Sequence, residues 1–182
     1  RLLLEKQEVC FDTETTSLDT HSAELIGMSF AFETGKAYYV PVPQERDGAQ
    51  EWIAAFQPFF ESESVGKIGQ NLKYDIGVLL NYGVEVRGPL FDTMIAHYLL
   101  QPDMRHKMDI LAETYLEYTT ISYESVVGKK GKTQKTLREV PVALVTDYAA
   151  EDADITLQLK EVFAPKLKET GVAKVFENIE MP

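Results

Sequence analysis

Two acids stand at the end of an apolar segment near the start of the chain, in the stretch EVCFDTETTSLD at residues 8–19. In an extended strand, residues i and i+2 point to the same side. The carboxylates of Asp12 and Glu14 therefore project together, with their Cα atoms about 6.6 Å apart. Two carboxylates in this arrangement can share a cation. Alternatively, they are turn residues that begin the following loop, and the pair alone favours neither interpretation.

A third acid falls on a helix face that should be apolar. Asp75 lies on the same stripe as Leu72 and Leu79 in a predicted helix over residues 71–82, on the face that should meet the sheet. Its neighbour Asn71, one turn earlier, is a candidate N-cap. Asp75 is a full turn inside the helix, so capping does not explain its position.

A fourth acid repeats this pattern in the stretch VTDYAAEDADITLQL. Tyr148, Asp152, Ile155 and Leu159 follow the spacing of one helix face, so Asp152 also points inward. The helix dipole or simple solvation explains the acids around it, which are Asp147, Glu151 and Asp154.

Inward-facing acids need a positive partner, because burying an unpaired carboxylate costs several kcal/mol and clustered carboxylates repel one another. The sequence has no matching set of inward-facing Lys or Arg. His21, His97 and His106 show no metal-ligand spacing and are interpreted as surface or packing residues. Hard oxygen ligands without clustered Cys or His favour Mg²⁺ or Mn²⁺ over zinc. Four acids can hold two such ions about 4 Å apart, which is the arrangement that cleaves phosphodiesters by in-line attack.

The elements that must position these acids follow from periodicity. Short β-rich segments at residues 7–12, 22–32 and 36–42 predict a three-stranded antiparallel meander. From residue 49 onward the spacing becomes helical, and further helices are predicted at about 71–82, 91–100, 108–117 and 144–168. The segment GKKGKTQKT at residues 128–136 is predicted to be a mobile loop. One α/β domain is the simplest interpretation.

Composition limits the classes of protein that fit. The 182 residues are 45% apolar, which is enough for a hydrophobic core, and the single Cys10 excludes an internal disulfide and fits a reducing cytoplasm. No apolar stretch approaches the roughly 20 residues of a membrane span. The chain begins at Arg1 without a secretory leader, so a fragment is expected. The net charge of −11 argues against a polyanionic partner unless metal ions supply local positive charge.

Three motifs together resemble those of one family. FDTETTSLD, VGKIGQNLKYD and YAAEDADITLQL are similar, in this order, to the exonuclease motifs of the 3′-to-5′ proofreading domain of bacterial DNA polymerase I, in the DEDD exonuclease superfamily. The resemblance covers essentially the whole chain. It implies a ribonuclease H-like α/β fold, with a central mixed sheet that begins as the antiparallel meander and is flanked by helices. It also implies a single exonuclease domain over residues 1–182, because the ending ENIEMP resembles the junction to a polymerase region.

The resemblance assigns roles to the inward acids. It implies that Asp12, Glu14, Asp75 and Asp152 bind two Mg²⁺ or Mn²⁺ ions and that Tyr148 orients the attacking water. One ion is held by Asp12, Glu14 and Asp152, and the second is shared by Asp12 and reached from Asp75. The spacing Y-x-x-x-D indicates the tyrosine branch of the superfamily, since the histidine branch has His at the position of Asp147.

The resemblance also implies contacts to a single strand. Leu18 and Tyr123 would pack against bases, and four residues would surround the last nucleotides, namely Gln70, Asn71, Arg105 and Met108. Leu18 and Met108 have core packing as their alternative, while an aromatic ring such as Tyr123 stacks on any base. The chain has one extra residue between Tyr123 and Tyr148 relative to the family, most easily placed in GKKGKTQKT.

The implied activity is hydrolysis of terminal phosphodiesters from single-stranded or frayed DNA 3′ ends to 5′-monophosphates during proofreading. The implied partners are the single-stranded 3′ end and a polymerase domain of the same full-length chain. We expect a monomeric isolated domain in the bacterial cytoplasm, associated with the nucleoid and not with a membrane. An RNA-trimming exonuclease of the same superfamily is the first alternative. A catalytically silent module that binds single strands or supports a polymerase is the second.

Overall fold

The sheet has the strand order β3-β2-β1-β4-β5 in the computed structural model, which describes residues 1–181. The strands are β1 (Glu8–Thr15), β2 (Leu25–Glu33), β3 (Lys36–Pro41), β4 (Gly66–Gly69) and β5 (Leu90–Asp92). The first three form the antiparallel meander, and β4 and β5 continue the sheet in parallel with β1. The predicted mixed sheet that begins with a meander is confirmed.

The helices follow the meander. They are α1 (Arg46–Phe60), α2 (Leu72–Leu80), α3 (Thr93–Leu100), α4 (Met108–Leu116), α5 (Tyr123–Val127), α6 (Val142–Glu169) and α7 (Ala173–Val175). A 3₁₀ turn at Leu137–Glu139 precedes α6, and a π turn at Phe176–Glu180 follows α7. The predicted helices are confirmed with small shifts at their ends. In α1, Ile53 is buried while its neighbour Trp52 remains 46% exposed.

Strand β1 is longer than predicted. It continues to Thr15, and Asp12 and Glu14 pair across to Ser29 and Gly27 of β2. The interpretation of the two acids as turn residues is therefore wrong. Both remain on the pleated strand, and a shift in the register follows directly after Glu14.

The two faces of β1 meet different helices. Val9 and Phe11 join a core that includes residues of α1 and α2, whereas Cys10 packs in a cluster with Ala153 and Leu157 of α6. Because side chains alternate along a strand, the even-numbered acids point to the α6 side and Thr13 points to the α2 side. The acids of β1 are thus aimed at the helix that carries Asp152.

Residues 128–136 form the predicted loop. At its base, the Lys135 amide donates to the Val127 carbonyl at 2.9 Å and the Gln134 side chain donates to the Gly128 carbonyl at 3.0 Å. Val127 and Leu137 are buried on either side of it. The mobility of the loop stays a prediction.

Within residues 1–181, no helix is long and apolar enough to cross a bilayer. The single-domain boundaries of 1–182 and the polymerase junction at ENIEMP stay predictions, and Pro182 lies outside the described residues.

Candidate active site

Three acids come together at one end of the sheet. Ligand oxygens of Asp12 and Glu14 from β1 and of Asp152 from α6 all lie within 4.8 Å of one another. Glu14 and Asp152 are each 8% exposed, and Asp12 is half-buried. The two strand acids and the helix acid meet because the even-numbered face of β1 packs against α6. This triad has the size and the donor atoms of a divalent cation site.

The fourth acid approaches from the opposite face of β1. Asp75 is 2% exposed, and its Oδ1 accepts hydrogen bonds from the Thr13 amide at 3.1 Å and the Thr13 hydroxyl at 2.5 Å. Both bonds end on Oδ1, so Oδ2 is left for another partner. Asp75 is not part of the 4.8 Å triad. Thr13 therefore fixes Asp75 beside the triad without completing it.

The electrostatics of the four acids are unfavourable without a cation. Burial raises the pKa of Asp12 to about 7. Burial, together with the negative charge of neighbouring acids, raises the pKa values of Glu14, Asp75 and Asp152 well above their ordinary range. None of the ion pairs within residues 1–181 involves one of these acids. Bound positive charge would reverse this penalty.

One carboxylate oxygen of the triad lacks a hydrogen-bond partner. Oε1 of Glu14 is buried and has no hydrogen-bond partner within residues 1–181. A buried acceptor left without a donor costs free energy, and an ionised one costs more. The donor set consists of carboxylate oxygens alone, which suits Mg²⁺ or Mn²⁺. The residues present therefore fit a divalent ion.

The Tyr39 side chain packs over the backbone of Gly27, which lies opposite Glu14. Gly27 pairs with Glu14, and a Cβ atom at Gly27 would lie 2.2 Å from the Tyr39 hydroxyl oxygen. Burial, with the charge of Glu14 adding to it, raises the pKa of Tyr39 to about 12. Tyr39 thus covers this strand pair as a neutral side chain and needs glycine beneath it.

Helix α6 presents Tyr148 one turn before Asp152. Burial is the main cause that raises the Tyr148 pKa far above its usual value, and the charges of Asp152 and Glu14 raise it further. The phenol therefore keeps its proton at neutral pH and can donate a hydrogen bond. Its ring lies against Tyr123, with 6.3 Å between the ring centroids.

An open groove of about 540 Å³ passes over the four acids. Tyr148 lines it, as do three of the residues predicted to bind the strand, namely Leu18, Gln70 and Tyr123. Leu18 is 94% exposed, so its interpretation as a core residue is wrong. Tyr123 is 45% exposed at the start of α5, where its ring is accessible for stacking.

A second groove of about 640 Å³ shares Tyr123, Tyr148 and Asp152 with the first. Met108 lines it from the start of α4, and its sulfur accepts a hydrogen bond from the Thr156 hydroxyl at 3.2 Å. The two grooves therefore meet at Asp152 of the triad.

Two of the predicted contact residues line neither groove. Arg105 is exposed in the connection between α3 and α4. Asn71 has a left-handed backbone, with φ 65°, and its side chain makes no capping hydrogen bond. The capping role predicted for the Asn71 side chain is therefore wrong.

The missing cap comes from Asp92, which sequence reasoning did not single out. Asp92 is 2% exposed and accepts the amides of Asn71 at 3.1 Å and Leu72 at 2.7 Å, at the start of α2. It also accepts the amides of Met94 at 2.8 Å and Ile95 at 3.2 Å, at the start of α3. The local signal was present, since Asp before TMIAHYLL is a typical N-cap.

The acids around Asp152 are not merely solvated. Glu151 accepts hydrogen bonds from the Tyr118 hydroxyl at 2.6 Å and the Ile121 amide at 2.7 Å, and Asp154 accepts the Gly35 amide at 2.7 Å. Because α6 begins at Val142, neither acid lies in its first turn, and the explanation by dipole or solvation is wrong for both. They attach distant loops to α6, which holds Asp152 in place.

One buried cation was also missed. Lys67 is fully buried, and its Nζ donates to the carbonyls of Ser62 and Arg87, both at 2.5 Å. Burial lowers its pKa to about 8. These bonds connect two loops, so Lys67 is a structural residue and not a counter-ion of the acids.

Comparison of the sequence with known proteins gives two findings. A family model described as 3′-5′ exonuclease matches residues 1–168. DNA polymerase I of Pseudomonas aeruginosa is 40% identical to the chain over 190 residues, which cover 99% of this chain and 21% of that relative. The chain thus spans about a fifth of the length of this relative.

Solved structures agree in fold. NrnC of Brucella melitensis superposes with a TM-score of 0.74 at 25% identity, covering 93% of this chain and 78% of that one. RNase D of Escherichia coli, an exoribonuclease involved in structured RNA processing, superposes with a TM-score of 0.72 at 20% identity, covering 93% of this chain and 42% of that one. These likenesses confirm the ribonuclease H-like fold.

Proposed function

Because the chain belongs to the 3′-5′ exonuclease family found in bacterial DNA polymerase I, we propose that it removes nucleotides from single-stranded or frayed 3′ ends of DNA by metal-dependent hydrolysis. The observation that carries this proposal is the convergence of three buried acids, Glu14, Asp75 and Asp152, and the half-buried Asp12 on an open groove. Three of them form the 4.8 Å triad, and a buried Glu14 oxygen has no partner within residues 1–181.

The acids divide between two candidate ion positions. Asp12, Glu14 and Asp152 would hold one Mg²⁺ or Mn²⁺ ion, and Asp12 with Asp75 would hold the second. When bound, such ions lower the pKa of a coordinated water and offset negative charge on the departing 3′ oxygen. Thr13 positions Asp75 by its two hydrogen bonds.

Tyr148 and Glu14 would orient the attacking water. The raised pKa of Tyr148 keeps its phenol protonated, so the group donates a hydrogen bond to a water oxygen and does not act as a base. Glu14 would accept a hydrogen bond from the same water through a carboxylate oxygen. Both side chains line the groove on the side of the triad.

The strand would be held mainly by its bases. Leu18 and Tyr123 offer exposed apolar surface at the groove, and stacking on Tyr123 requires unpaired nucleotides. Gln70, Asn71, Arg105 and Met108 would surround the last nucleotides. Positive charge beyond the groove comes from the loop lysines, which are Lys129, Lys130, Lys132 and Lys135.

The setting of this activity follows from the relatives. By similarity to DNA polymerase I, a polymerase domain in the same full-length chain would supply the frayed 3′ end. Proofreading would then take place in the bacterial cytoplasm, at the nucleoid. The exonuclease domain by itself would be a monomer.

One alternative has an observation in its favour. The fold likeness to RNase D favours RNA trimming, because the metal chemistry does not depend on the sugar. A silent module that only binds strands or supports a polymerase is disfavoured by the intact acids.

The test uses short DNA and RNA oligonucleotides of the same sequence, labelled at the 5′ end and incubated with Mg²⁺, Mn²⁺ or EDTA. We expect a ladder that shortens stepwise from the 3′ end of the DNA, release of nucleoside 5′-monophosphates, and complete inhibition by EDTA. A 3′-phosphorothioate linkage should slow the first step, which identifies the end that is attacked.

Other outcomes select the alternatives. Faster loss of the RNA than of the DNA would favour the RNA-trimming enzyme. Binding without cleavage of either strand in any metal would favour the silent module. Asp47→Asn is the matched control, since Asp47 is an exposed acid in the first turn of α1 that lines neither groove, and it should cleave like the wild type.

A further inference from the structure

A second cluster of titratable side chains lies behind the groove. His97 of α3 is completely buried, and its Nδ1 lies 2.7 Å from Nδ1 of His106 in the connection between α3 and α4. Its Nε2 lies 3.1 Å from the hydroxyl of Tyr115 in α4. The predicted packing role of the two histidines is confirmed, but these contacts are more specific than packing requires.

The contacts fix the orientation of the buried ring. Two Nδ1 atoms at hydrogen-bond distance share a single proton, so one ring donates and the other accepts. The second nitrogen of His97 is engaged by Tyr115. Rotating His97 would break both bonds and leave polar atoms unpaired in the core.

This pair is connected to the substrate groove through Gln70. The Gln70 amide nitrogen donates to the main-chain carbonyl of His106 at 2.7 Å, and its amide oxygen contacts the Thr93 hydroxyl. Thr93 and His97 are one turn apart on α3 and lie on the same helix face. This face therefore contacts the Gln70 amide oxygen directly, through Thr93, and contacts His106, the partner of the Gln70 amide nitrogen, through His97. The Gln70 amide nitrogen keeps one hydrogen free, and Gln70 lines the groove that passes over the acids.

We propose that His97 is a positioning residue of the exonuclease site: it holds His106, and the His106 carbonyl fixes the Gln70 amide so that its free N–H faces the substrate strand. This role rests on the proposed function, since Gln70 acts on a strand only if the groove binds one. His97 does not touch the substrate. It acts through the connection at residues 101–107, where the His106 side chain is the anchor.

A pair of substitutions separates this role from packing. In His97→Asn the amide lies where Nδ1 was, and it can keep the bond to His106. In His97→Gln the amide reaches the position of Nε2, so it keeps Tyr115 and loses His106. We expect His97→Gln to raise KM for a single strand by about tenfold, the size of one lost hydrogen bond to a charged partner, with kcat little changed. His97→Asn should stay close to wild type.

A double-mutant cycle with Gln70→Ala tests the route of the effect. In that background, His97→Gln should raise KM no further. An additive increase, or equal KM values for His97→Gln and His97→Asn, would overturn the proposal. His21→Gln is the control, because His21 is exposed in the β1–β2 loop and should behave like the wild type.

A second measurement does not depend on activity. The Gln70 side-chain amide signals in ¹H–¹⁵N spectra should move towards free-amide positions in His97→Gln and remain in place in His97→Asn. Unchanged signals in both variants would overturn the positioning role, whether or not the protein cleaves DNA. A wild type that cleaves no strand, with Gln70 signals that respond as expected, would instead reject the proposed function alone.

Discussion

Asp92 and the acidic triad are both buried carboxylate sites, but their surroundings are opposite. Asp92 accepts four main-chain amides from the starts of two helices. Glu14, at 8% exposure, has a buried oxygen without any donor within residues 1–181, and the negative charges of Asp12, Asp152 and Asp75 raise its pKa further. The fold completes one site with its own backbone and leaves the other incomplete.

The difference shows how a structural acid can be separated from a functional one. Four amides compensate the desolvation of Asp92, although burial still raises its pKa on balance. In the triad, burial and mutual repulsion act in the same direction, so the free energy must be recovered from a bound cation. Removing Asp92 should therefore damage the fold, and removing a triad acid should damage the chemistry.

The largest expected effect is on cleavage. Asp152→Ala should reduce exonuclease activity by more than about 100-fold. Removing a residue that only hydrogen-bonds to a metal ligand already costs up to about 100-fold, and Asp152 is itself a proposed ligand. Its melting temperature in EDTA should equal or exceed that of the wild type, because one repelling charge is gone. Steady-state cleavage and calorimetry check the two parts. Near-normal cleavage in Mg²⁺ would remove the triad from the mechanism.

The next effect is on stability. Asp92→Ala removes the cap of α2 and the cap of α3, which should cost roughly 2–4 kcal/mol and lower the melting temperature by about 5–15 °C. Asp109→Ala, at an exposed position in the first turn of α4, is the matched control and should change little. If both variants melted like the wild type, the contrast between the two sites would be lost.

A smaller effect is expected for Tyr148→Phe. Loss of one oriented hydrogen bond to the attacking water should lower kcat by about tenfold. Mn²⁺ affinity should be unchanged, since the phenol orients water and does not bind an ion. A loss of Mn²⁺ affinity parallel to the loss of rate would assign Tyr148 to the metal site instead.

The smallest effect is a pH dependence without metal. Asp12 has a pKa of about 7 in the folded protein, above the value of about 3.9 in an unfolded chain. Its contribution to stability is therefore fully present below pH about 4 and is lost as the pH rises through about 7. In EDTA, the melting temperature of Asp12→Asn minus that of the wild type should increase across this range. A constant difference would show that Asp12 is not desolvated.

Much of the site was predictable because its signals are local. Alternation along β1 gave the shared direction of Asp12 and Glu14, and acids on otherwise apolar helix stripes identified Asp75 and Asp152. The sequence could not show that Asp92 serves two helices, because this requires β4 and β5 to lie side by side so that α2 and α3 begin together. The partners of Glu151 were out of reach for the same reason, since they lie in a loop about 30 residues earlier.

The most direct test of the account is a calorimetric Mn²⁺ titration of the wild type, Asp152→Asn and Asp109→Asn near neutral pH. Asp152→Asn removes a charge from the triad at almost constant size, and Asp109→Asn removes one from the neighbouring groove. We expect the wild type and Asp109→Asn to bind Mn²⁺ alike, with proton release as the raised-pKa acids ionise, and Asp152→Asn to bind at least about tenfold more weakly. Equal binding by all three proteins, or no binding by the wild type, would contradict a metal centre built on the buried triad.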